Sequence, residues 1–134
     1  MPDLMAIVSK AVFEREAGKS PAPGTRLGMD RYVSTNKALA PLAGGGRLYL
    51  VTVRPPKEAL WLVAILDQPK HDGEAWIAKK CATPITDITA LKGSLVFQSG
   101  TGIKAKPGAL GMSLQTPRAL TAADAALLDE AAGA

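Results

Sequence analysis

The chain is poor in the residues that most often announce chemistry. Its 134 residues include one Cys and one His, and aromatics make up 4%. A single cysteine, Cys81, excludes an intrachain disulfide and fits a reducing compartment. One His and one Cys fall short of the usual metal-ligand set, so no metal is expected. His71 and Cys81 are the only pair resembling a thiol–imidazole nucleophile. Yet His71 sits in a polar turn, Lys70-His71-Asp72-Gly73, and no family motif surrounds Cys81. The acids are scattered, with no paired carboxylates in one motif. No apolar run approaches the roughly 20 residues of a membrane span. Met1-Pro2-Asp3-Leu4-Met5 has neither the cationic stretch nor the apolar run of a signal peptide. These absences set the expectation: a soluble, cytoplasmic protein, not an enzyme, without cofactor or membrane partner.

What the chain does have is apolar content, 47%, and a basic balance, with net charge +4 and pI about 9.4. A chain of this length buries roughly two thirds of its unfolded surface, enough for one core. A single domain over residues 1–134 is therefore expected. The charge is uneven. Residues 119–134 hold Asp124, Asp129 and Glu130 and no Lys or Arg. A basic body with an acidic tail suits a polyanion such as RNA or DNA, and equally describes an ordinary solvated surface.

The hydrophobic pattern predicts short strands with small helices between them. Leu4–Glu14 reads as a strand, with a helix as the alternative. A loop rich in Gly and Pro follows over 17–25. Ser34 or Thr35 can cap a helix over Asn36–Leu42, which Gly44-Gly45-Gly46 ends. Arg47–Arg54 and Ala59–Leu66 form an antiparallel hairpin across Pro55-Pro56-Lys57-Glu58. The second of these strands is so uniformly apolar that both its faces should be buried. A third strand spans Glu74–Ala78. Thr86 caps a short helix within Pro84–Leu91, a strand begins at Leu95-Val96-Phe97, and Leu114–Leu120 is extended. Thr121 caps a last helix, Ala122–Ala131. No βαβ repeat occurs, so the expected class is α+β, a small mixed barrel with short peripheral helices.

The densest polar stretch is Arg31-Tyr32-Val33-Ser34-Thr35-Asn36-Lys37. A helix start needs one capping side chain, and the surplus is what a binding site would contain. Gly44-Gly45-Gly46 is not a phosphate loop, because a strand follows where a helix is required. Gly100-Thr101-Gly102 exposes backbone N–H groups near Lys104 and Lys106, where a phosphate could sit. Trp61 and Phe97 lie in apolar strands and read as core. Tyr32 and Trp76 could each stack on a base or cover the end of the barrel.

Three stretches resemble the PUA-like superfamily, and within it the EVE domain. They are Ala6-Ile7-Val8-Ser9-Lys10; Asn36-Lys37-Ala38-Leu39 followed by Gly46-Arg47-Leu48-Tyr49-Leu50-Val51; and Pro84–Leu91 followed by Leu110–Thr121. In the second, Arg47 stands where the family carries an Asp. The resemblance implies a pseudo-barrel with a pocket for a nucleobase, often a modified one. It implies a noncatalytic nucleic-acid-binding module, with the base bounded by Ser9, Tyr32 and Asn36. Tyr32 would stack, and Asn36 would hydrogen-bond a base edge. Arg31, Lys37, Lys104 and Lys106 would contact phosphates. The competing expectation is a protein-interaction or scaffold module that uses the alanine-rich last helix, with Leu127 and Leu128 available for packing.

Overall fold

A computed structural model describes residues 3–17, 22–26, 29–54, 59–79, 83–103, 114 and 116–133. Its elements, in chain order, are β1 (Asp3–Ile7), α1 (Lys10–Ala17), β2 (Arg31–Val33), a 3-10 helix (Lys37–Gly44) and β3 (Arg47–Arg54). Then come β4 (Ala59–Asp67), β5 (Lys70–His71), β6 (Ala75–Ile77), β7 (Thr86–Asp87) and a 3-10 turn (Thr89–Leu91). β8 (Arg118–Leu120) and α2 (Ala122–Ala131) complete the chain. The class is α+β, as the pattern predicts. The strands form two open sheets among the described residues, one of five strands in the order β7-β4-β3-β1-β8 and one of three in the order β2-β6-β5.

The expected β3–β4 hairpin is the centre of the larger sheet. Its register runs from Arg47 opposite Asp67 to Arg54 opposite Ala59, with a bulge where Leu50 pairs Ala64 and Val51 pairs Leu62. β1 joins β3 in parallel and β8 in antiparallel. Both faces of this sheet are covered. Leu4, Ala6, Leu48, Leu50, Ala64 and Leu66 pack under Phe13, Leu39, Leu42 and Trp76. Met5, Tyr49, Val51, Leu60 and Leu62 pack under Phe97, Leu114, Ala125 and Leu128. Two-sided burial is why β4 reads as a nearly unbroken apolar run. Each fully buried Leu contributes roughly 1.5–3 kcal/mol relative to exposure.

Several expected elements are redrawn. Leu4–Glu14 is not one strand. It breaks after Ile7, and Ser9 opens α1 by accepting the Val12 N–H on its Oγ (3.3 Å). α1 then buries Phe13, half-buries Val12 and exposes Ala11, Glu14 and Arg15. The Arg54 guanidinium lies 4.8 Å from the Phe13 ring centroid and 5.8 Å from that of Trp61, pinning this helix to the sheet. The cap of the second helix is Asn36, not Ser34 or Thr35, and the helix is 3-10 with Pro41 inside it. Thr86 caps nothing. With Asp87 it forms β7, pairing Trp61 and Leu62. Leu95–Phe97 is not a strand: Leu95 and Val96 are irregular and Phe97 begins a turn. The Val96 and Phe97 N–H groups donate to the Asp124 carboxylate (3.0 and 2.8 Å) instead of to a neighbouring strand. The extended segment expected over Leu114–Leu120 is a strand only at Arg118–Leu120.

Thr121 does cap α2, in a reciprocal capping box with Asp124. α2 buries Ala125 and Leu128 against its own sheet, and Leu127 packs on the same cluster. The apolar side that a partner would use therefore closes the core.

Candidate nucleic-acid interface

Tyr32, Asn36 and Ser9 are each engaged in local structure. Tyr32 lies on β2 opposite Trp76, and its hydroxyl donates to the Ile7 carbonyl (2.8 Å). Its ring packs against the core cluster under α1, and burial raises its pKa. Asn36 Oδ1 accepts the Ala38 N–H (2.9 Å), and Ser9 Oγ is occupied at the start of α1. The Tyr32–Ile7 bond does bring Tyr32 to the end of β1, two residues before Ser9. Asn36 is exposed, beyond that contact. Arg31 is exposed beside Asp30 (3.6 Å), and Lys37 is exposed in the first turn of the 3-10 helix. Lys104, Lys106 and Cys81 fall outside the described residues.

His71 is likewise structural. Its Nδ1 accepts the Gly73 N–H (3.2 Å), so Nε2 carries the proton and donates to the Ser34 carbonyl (2.8 Å). Its ring lies 4.9 Å from that of Trp76. This ties the β5–β6 hairpin to the Tyr32 strand. Among the described residues, no three His, Cys, Asp or Glu side chains gather to hold a metal ion, and no helix is long and apolar enough to cross a membrane.

The concave surface lies elsewhere. A cleft of about 990 Å³ opens between the end of β4, the β5–β6 hairpin and the end of α2. Arg26, Arg47, Lys70 and Lys79 line it, with Asp67 and Asp129. Ile65, Ile77, Ala78 and Pro84 supply apolar wall. Such a volume and mixed lining suit a ligand-binding cleft. The four cations come from four separate segments. A bridge between Arg26 and Pro84 brings in the first, and the passage from β4 into β5 brings in Lys70. Lys79 follows β6.

Arg47 is the anchored cation. Its guanidinium meets Asp129 on α2 through Nη1 (3.1 Å) and Nη2 (3.0 Å), with Asp3 3.7 Å away. Partial burial opposes its charge. The hydrogen bond to Asp129, with the charges of Asp129 and Asp3, more than offsets this and raises its pKa. Asp129 also accepts the hydroxyl of the fully buried Tyr49 (2.8 Å). Burial pushes that hydroxyl far above its usual pKa, and the Asp129 hydrogen bond adds to the shift. Arg26, Lys70 and Lys79, by contrast, are exposed and form no ion pair among the described residues. Their charge is available to a ligand.

The sequence points to none of these three. Arg26 and Lys70 are lone cations in or beside polar turns, and Lys79 is half of a Lys79-Lys80 pair after a strand, all indistinguishable there from solvated charge. A second, smaller hollow of about 180 Å³ is lined by Arg47 with Asp3, Gly46, Asp67 and Gln68. Compared with protein-family models, curated proteins and solved structures, the chain matches none.

Proposed function

We propose that this domain binds nucleic acid without catalysing a reaction, and that the basic cleft is its interface. The observation that supports this is the convergence of Arg26, Lys70 and Lys79, all without ion pairs among the described residues, on a cleft with an apolar wall. Cations at the rim suit phosphates, and Ile65, Ile77 and Pro84 offer a surface on which an unpaired base can lie. The PUA-like resemblance suggests the same class of ligand. On that reading the two open sheets are parts of a pseudo-barrel, and the base-sized site shifts from Ser9, Tyr32 and Asn36 to the cleft. Arg31 and Lys37 would extend the phosphate path along the surface.

Titration of fluorescent single-stranded RNA and DNA at several salt concentrations tests the proposal. Three phosphate contacts predict a slope of log affinity on log salt of about −2 for a single strand. Absence of saturable binding at low salt, or binding unaffected by combined alanine substitution of Arg26, Lys70 and Lys79, would reject the cleft.

A further inference from the structure

Only two non-glycine residues among those described have positive φ, Gln68 at 48° and Phe97 at 57°. The left-handed region brings Cβ close to the backbone and favours Gly or Asn. For Phe97 the fold explains the residue. Its side chain is 2% exposed in the core, and its N–H is held by Asp124. For Gln68 it does not. Its backbone N–H donates to the Gly46 carbonyl (2.8 Å), a bond that any residue but proline would make. Its side chain is exposed and has no hydrogen-bond partner among the described residues. The sharp passage from β4 into β5 accounts for the conformation, yet Gly would adopt it with less strain. Gln68, like Arg47, also lines both hollows.

We propose that Gln68 is the base-reading residue of the cleft and that the base it reads is adenine. The inference rests on the nucleic-acid reading above. A primary carboxamide presents one donor and one acceptor side by side. Adenine offers the matching pair, an N6 amino donor and an N7 acceptor. Unpaired uracil and cytosine carry such a pair only on the Watson–Crick edge, whereas adenine carries one on each of two edges, N6/N1 and N6/N7, and has the larger face to lay on an apolar wall. The adenine face would lie on the wall formed by Ile65 and Ile77, while Lys70 and Lys79 neutralise the flanking phosphates. Fixing the Gln68 backbone at a corner between two sheets limits where its amide can reach, which is what selection of one base edge requires.

The test compares labelled oligoadenylate, oligouridylate and oligocytidylate on wild-type protein, Gln68→Gly and Gln68→Glu, at one low salt concentration. AMP serves as a competitor. Wild type is expected to prefer oligoadenylate by about tenfold. Gln68→Gly keeps the corner, holds or raises the thermal midpoint, and abolishes the preference while leaving the salt slope unchanged. Gln68→Glu, which can only accept, loses the bond to the adenine ring nitrogen and sets two acceptors against each other, so the oligoadenylate preference falls. Strong competition by AMP would identify a free nucleotide as the source of the adenine, and weak competition would identify a strand. Oligonucleotide binding with no base preference, or with one that survives in Gln68→Gly, overturns this inference and leaves the nucleic-acid reading standing. No binding by any oligomer overturns both.

Discussion

Arg47, the first residue of β3, grips Asp129 on the last turn of α2 with both ends of its guanidinium, 82 residues away in the chain. The same carboxylate accepts the Tyr49 hydroxyl. One side chain thus satisfies a buried phenol, neutralises a cation and forms part of the cleft wall. Replacing Asp129 with Ala separates these roles. The buried Tyr49 hydroxyl loses its acceptor, so stability should fall by about 1–3 kcal/mol in urea denaturation. Arg47 loses its closest anion and a negative charge leaves the cleft, so single-strand affinity should rise and the salt slope steepen by at most about 0.7. Weaker binding in a variant that remains folded would contradict the arrangement.

Lys79→Ala and Lys70→Ala are expected to behave differently. Both residues are exposed and lack ion pairs among the described residues, so the thermal midpoint should hardly move. Each substitution should reduce the single-strand salt slope by about 0.7. Isothermal titration at several salt concentrations measures it. A midpoint loss in proportion to the binding loss would mean the lysines act through the fold instead.

Asp124 gives the fold an acid sensitivity of calculable sign. It is 1% exposed, and burial alone would raise its pKa. The N–H groups of Val96, Thr121 and Phe97, all donating to its carboxylate, outweigh burial and hold the pKa below the usual carboxylate range. A pKa lower in the folded than in the unfolded state contributes stability above the unfolded value of about 4, lost as pH falls through the folded value. Asp72 and Asp87, lowered chiefly by the Ala75 N–H and by the Thr89 hydroxyl, act in the same direction. Urea midpoints should therefore drop below pH about 4, and Asp124→Asn should show a flatter acid limb. Asp124→Ala leaves three N–H groups without this acceptor and should cost roughly 2–4 kcal/mol at neutral pH.

Tyr32→Phe tests the structural role of the hydroxyl alone, since Phe keeps the ring on which a base would stack. It removes only the hydroxyl bond to Ile7 and should cost about 1 kcal/mol of stability. Asn36→Ala removes the cap on Ala38 and should cost a similar amount. Neither should change oligonucleotide affinity at fixed salt. A loss of affinity in Asn36→Ala beyond what its loss of stability explains would return the base to the β1–β2 side.

The β3–β4 hairpin and α2 were legible because their signals are local. An unbroken apolar run marks a strand buried on both faces, and a Thr three residues before an Asp marks a helix start. Leu95–Phe97 misleads for an equally physical reason. Its apolar side chains do enter the core, as a strand's would. Its backbone donors, however, are taken by the Asp124 carboxylate from 27 or 28 positions away, and no local pattern reports that. Tyr32 differs again. Its hydroxyl reads as surplus in the sequence because its acceptor, the Ile7 carbonyl, lies 25 positions away and is invisible at that point in the chain.

The sequence by itself determined the α+β class, the central hairpin, the capped terminal helix and the basic balance, because periodicity, capping and net charge are properties of neighbouring residues or of simple sums. Only the tertiary structure decided where that charge is free. It tied Arg47 to Asp129, and it brought Arg26, Lys70 and Lys79 from separate turns to one cleft. It also held Gln68 at a corner that favours glycine. Ion pairing and backbone strain depend on which distant groups the fold places within a few ångströms, and charge composition alone does not encode that distance.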